Sequence, residues 1–250
     1  MKEVFTYIFK DAKYKEKTLK YLGICFLSLV LMAYPEVQNS DNIFFSQSIQ
    51  VVETNFWAQV LPIIGKILNL VLIGYYFTCI KAILIQNQNI ILPFMNVKKS
   101  FIVGLRFLIA TLFIIVSMLF FLFFFKLFFN KIIMNFLTIA LILFFLFFIN
   151  AFSVLFAKDS NLLTFFAWKK VILIISCNFC RYFKFWTYNL LITIIGAVIS
   201  ILFTYLFNMI FGNIYIAWLV TSIEAAFIAT YIAFINMYLV AKSVDSDSVV

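Results

Sequence analysis

Apolar runs of about membrane-crossing length, separated by short polar stretches, make up most of the chain, and that pattern predicts an all-α polytopic membrane helical bundle. Six spans are expected, at residues 21–36, 57–81, 101–125, 132–156, 185–211 and 214–240. The first run, Tyr21 to Tyr34, is short and is closed by Pro35 and Glu36. Residues 1–20 carry six lysines, with Phe5, Ile8, Phe9 and Ala12 at helical spacing, and read as an amphipathic helix on the membrane surface. Leu31 and Ala33 make a poor small-residue cleavage site, so this lead is expected to stay attached. Residues 160–184 have two open readings. Lys169 and Lys170 interrupt an apolar run too short to cross, which favours an interfacial helix leading into span five; a buried seventh span is the alternative. Residues 242–250 form a polar tail.

The stretch Leu61 to Pro93 is the expected centre of the chain. It holds two of the three prolines, and Pro62 to Gly65 is expected to break span two where it enters the membrane.

Composition closes off the soluble classes. At 66% hydrophobic and 12% charged, with a mean hydropathy of +1.11, the 250-residue chain lies far from a soluble domain, which is roughly half apolar and about a quarter charged. The 35 phenylalanines, with many Ile, Asn and Lys, follow the pattern of AT-rich codons and point to genomic bias before function.

The net charge of +9 is explained by orientation. With six spans, every lysine and arginine except Lys66, Lys126 and Lys131 falls on one side, and the positive-inside rule makes that side, with both termini, cytoplasmic. The expected location is the inner, cytoplasmic membrane of the cell. Nucleic acid is not needed as a partner, whereas anionic lipid headgroups suit these basic segments.

Residues that are costly in lipid are the candidates for function. Glu224 lies about 15 Å into the last span, near mid-membrane. Thr221, Glu224, Tyr231 and Tyr238 share one helical stripe beside a second one of Ala225, Ala229 and Ala233, against which other helices are expected to pack. Two readings of Glu224 are open: a proton, cation or counter-ion site, or a structural acid, either neutral or paired with Lys66, which sits at a similar depth. The candidate binding residues are therefore Glu224, Lys66, Tyr231 and Tyr238. Lys81 and Arg106 lie near span ends and are expected to snorkel to headgroups.

Cys177 and Cys180 form a C-x-x-C pair without a second pair or any histidine, so neither a metal nor a cofactor is expected; Cys180 beside Arg181 is a candidate acylation site. The aromatic and basic run Arg181 to Trp186 reads as an interfacial belt. No phosphate loop, serine elbow or H-E-x-x-H is present, and an enzyme is not expected.

Phe9-Lys10-Asp11 with Lys17, Leu61 to Gly65, Gly74-Tyr75-Tyr76, Leu92-Pro93 and Lys99 to Arg106 with Gly104 occur in an order and spacing that resembles a bacterial and archaeal integral-membrane family, domain of unknown function number four-zero-one-three. The likeness covers most of residues 5 to 115 and, loosely, Phe156-Ala157-Lys158 beyond. It implies a multi-span membrane protein and carries no activity or site residues.

The expected function is that of a non-enzymatic scaffold or lipid-interacting component of a membrane assembly, with membrane proteins as further possible partners. The alternative is a small transporter or permease with its site at Glu224 and the Pro62 to Gly65 break.

Overall fold

The computed structural model describes residues 14–43, 56–86, 96–126, 129–210 and 214–244. The predicted segment 1–20 as far as residue 13, most of the polar loop 37–55 and the tail from 245 lie outside them.

Seven α-helices and one short 3-10 turn account for the described chain. They are α1 (Tyr14–Ile43), α2 (Phe56–Gln86), α3 (Val97–Lys126), α4 (Lys131–Asp159), the turn Leu162–Phe166, α5 (Trp168–Cys177), α6 (Phe179–Ile210) and α7 (Ile214–Lys242). Five of these, α2, α3, α4, α6 and α7, are long and apolar enough to cross a bilayer. The protein is an all-α, membrane-embedded helical bundle.

Polar residues at the ends of the apolar runs set the boundaries. Asn96 accepts the Lys99 N–H at 2.9 Å to open α3, and Asn130 accepts the Ile133 N–H at 3.0 Å to open α4. Ser160, at φ 53°, closes α4 by donating its N–H to Phe156 O, and Asn161 then opens the 3-10 turn.

Four features of the helix boundaries differ from expectation. Residues 14–20 are not a separate surface helix; they are the first turns of α1, held by the Glu16–Lys20 pair at 2.7 Å with no breaker before the apolar run. The same helix passes Pro35 and reaches Ile43, and α2 likewise runs unbroken through Pro62. A proline removes one ladder bond, and a long helix on both sides tolerates that loss. Residues 160–184 are not one helix. At ten residues, or about 15 Å, α5 is too short to span, and Asn178 ends it by turning its side chain back onto Ile174 O at 3.1 Å.

Helix α2 is the centre of the bundle, touching α1, α3, α4 and α7. Two of these contacts are made through glycine. Gly74 and Gly104 lie where α2 crosses α3, so closely that a Cβ on Gly74 would overlap the Ser100 carbonyl and one on Gly104 the Leu70 carbonyl. Gly65 meets α1, accepting the Ser28 hydroxyl at 2.9 Å. The residue expected to break the helix is instead a point of close approach.

The core gathers at one end. Phe77, Phe107 and Phe156 bring α2, α3 and α4 together, with ring centroids 4.4 to 5.6 Å apart. Tyr21, Tyr75 and Phe234 do the same for α1, α2 and α7. Buried positions run from Val71 to Leu84 in α2, Asn150 to Ala157 in α4 and Phe234 to Ala241 in α7, all at the end where the basic residues collect. Away from it, α3 beyond Ala110, α4 before Asn150 and most of α6 expose Phe, Leu and Ile. Such faces suit acyl chains, since lipid is as apolar as they are.

Candidate functional site

Glu224 faces α6. It accepts the Ser200 hydroxyl at 3.4 Å on Oε2, while Oε1 is buried with no partner. The neighbouring α6 residue Gly196 allows this approach, since a side chain there would meet Ile232 and Ile228 of α7. Lys66 is exposed on α2, and among the described residues no ion pair joins it to Glu224. Tyr231 is half-buried and Tyr238 buried, both packed with the core.

The packed stripe of α7 is offset by one position from the expected alanines. It runs through Ser222, Ala226, Thr230, Phe234 and Met237, all buried, while Ala229 is exposed.

That exposed alanine lines a crevice of about 450 Å³ between α1, α2, α3, α4 and α7, whose polar groups are Tyr21, Asn69, Tyr76, Asn150 and Ser153. Glu224 is not among its lining residues. Asn150 is held by Asn189 of α6, which donates to its Oδ1 at 3.3 Å. This bond belongs to a stripe that periodicity alone did not reveal. Tyr182, Trp186 and Asn189 recur at four and three residues along α6, and each reaches α4: Tyr182 OH donates to Phe147 O and accepts the Ala151 N–H, and Trp186 Nε1 donates to Leu146 O at 2.9 Å. The expected aromatic belt is partly an interhelical tie.

At the basic end the cations cap helices. Lys81 donates to Lys158 O at 2.6 Å and Arg106 to Ser160 O at 3.1 Å, both at the carbonyl end of α4; Arg181 donates to Lys242 O at 2.8 Å at the end of α7. The last carbonyls of a helix lack intrahelical donors and carry partial negative charge, so cations from neighbouring helices satisfy both needs. Beside Arg106, Asn96, Lys98, Lys99 and Ser160 outline a pocket of about 270 Å³ with no carboxylate in its lining.

The four cysteines are split between two environments. Cys25 and Cys79 are buried in the core, whereas Cys177 and Cys180 are exposed at the junction of α5 and α6. Among the described residues no group of three metal-ligating side chains forms. No family model, curated protein or solved structure matches the chain.

Proposed function

We propose that this chain is a non-catalytic multi-pass protein of the bacterial inner membrane, with both termini cytoplasmic, that holds anionic lipid and serves as a scaffold in a membrane assembly. Helix α1 is then the sixth span, packed along α2 and α7. The observation carrying this reading is the division of the bundle: a tightly packed end crowned by lysine and arginine, and long apolar faces on α3, α4 and α6 directed outward from it. Each cation near an anionic leaflet contributes on the order of 1 kcal/mol, so a cluster of them sorts headgroups by charge.

After purification in mild detergent, the protein is expected to retain phosphatidylglycerol in preference to phosphatidylcholine by native mass spectrometry. Equal retention of the two, or none, overturns the lipid reading. For orientation, Ser248→Cys in a cysteine-free background should react with a membrane-impermeant thiol reagent only after cells are opened, and Ser46→Cys in intact cells.

A second reading, passage of a small solute, is favoured by the crevice and no longer by Glu224, which points to the opposite partner helix. Asn69→Cys and Ala229→Cys, probed from each side of a sealed vesicle, should both react if water reaches the crevice. Protection of both, with loop controls reacting, removes the solute path.

A further inference from the structure

We propose that the face of α3 from Lys98 to Phe121, with the facing part of α4, binds one anionic phospholipid, its phosphate at Lys98, Lys99 and Arg106 and its acyl chain in the groove beyond. This rests on the lipid-interacting reading and assigns it a site.

The two halves of the site lie on one stripe. Lys99, Val103, Arg106, Ala110, Phe113, Ser117 and Phe121 recur every three or four residues, so a helix places them on one side. The basic pocket of about 270 Å³ occupies its first part. A groove of about 400 Å³ occupies the last part, walled by Phe113, Met118 and Phe121 of α3, Phe144 and Phe148 of α4, and Trp168 at the start of α5. Its hydroxyl, Ser117, is turned back onto Phe113 O at 2.8 Å, which leaves the groove apolar. Between the two halves lies the 3-10 turn, whose Leu163 and Phe166 are 70% and 55% exposed and offer an apolar bridge for the glycerol region. Phe166 packs edge-on against Phe113, with centroids 5.2 Å apart.

Charge selects the headgroup. Arg106 spends one of its five donors on Ser160 O and the rest are available to a phosphate, for which its planar fork is suited. The two lysines are exposed at the first turn of α3, where the helix end adds positive potential. Depth places the tail. Along α3, Phe113 lies about 10 Å and Ser117 about 16 Å beyond Arg106, so the near part of the groove falls at the roughly 15 Å depth of one leaflet from that cation.

The test uses the full-length protein in phosphatidylcholine vesicles doped with phosphatidylglycerol carrying a photoactivatable diazirine in its acyl chain, with the equivalent phosphatidylcholine probe as reference. Labelled peptides are mapped by mass spectrometry. Residues 113–121 and 144–152 are expected to be labelled by the glycerol probe on the order of tenfold more than by the choline probe, while the exposed face of α6 takes both equally. Lys98→Gln with Lys99→Gln should abolish that preference without disturbing the α4 cap, which Arg106 makes. Ser117→Phe should block groove labelling with the cations intact. Equal labelling of the wild-type groove by both probes, or a preference that survives loss of both lysines, overturns this site. If the purified protein also retains no anionic lipid, the broader reading falls with it; if it does retain lipid, only the site falls.

Discussion

Replacing Gly74 by leucine should leave the protein unable to hold its native fold in mild detergent, and Gly74→Ala should already lower its thermal midpoint by several degrees. A Cβ at Gly74 would overlap the Ser100 carbonyl of α3, and one at Gly104 the Leu70 carbonyl of α2. These are backbone atoms, which cannot rotate aside, so the helices must separate. Overpacking costs about 1–3 kcal/mol where side chains can adjust, and more is expected where they cannot. At roughly 2–4 °C per kcal/mol for a chain of this size, a loss of about 3 kcal/mol moves the midpoint by about 6–12 °C. Because both substitutions are relieved by the same separation, Gly74→Ala with Gly104→Ala should cost less than the two singles added together. Gly23 is the control: nothing lies within 4 Å of a Cβ there, and alanine should stabilise by about 0.5–1 kcal/mol through helix propensity alone. Additive Gly74 and Gly104 effects, or a Gly74→Ala protein as stable as Gly23→Ala, would mean that the two backbones do not meet as described.

The residues behind this contact could be noticed in the sequence but not interpreted from it. Gly65, Gly74 and Gly104 stood out in an apolar chain with only six glycines, yet Gly65 suggested a broken helix and proved to be a docking point on Ser28. Hydropathy located the five long apolar helices because run length is a local property. Asn96, Asn130 and the pair Ser160-Asn161 cap helix ends, a local signal that the hydropathy pattern passed over. Partnership is not local. Glu224 and Lys66 matched in depth, but a helix has a full circle of directions at any depth, and Glu224 turned to Ser200. Lys81 and Arg106 were ordinary as snorkelling cations; that each caps α4 depends on a chain end more than fifty residues away. The Tyr182, Trp186 and Asn189 stripe carried a usable signal, three polar-tipped side chains on one face opposite Asn150 of a neighbouring span, but the nearby lysines and arginine drew the reading toward the interface.

That stripe leads to the second large effect. Tyr182→Ala should cost about 3–5 kcal/mol, comparable to the loss of any large core aromatic, because Tyr182 is fully buried and its ring packs edge-on against Phe147 at 5.2 Å. The hydroxyl contributes much less than the ring. It bonds Phe147 O and the Ala151 N–H, which stand four residues apart in α4 and are each other's ordinary helical partners. Polar contacts between membrane helices average only about 0.6 kcal/mol, so Tyr182→Phe should cost about 1 kcal/mol or less. Loss of the ring should also free Trp186, which packs edge-on against the same Phe147 at 5.3 Å, and its fluorescence should shift in the alanine variant and stay unchanged in the phenylalanine one. Thermal unfolding of the two variants separates the cases. If phenylalanine is as damaging as alanine, the hydroxyl bonded to the α4 backbone is the anchor and packing is secondary; if alanine is mild, α6 is held to the bundle by α7 alone.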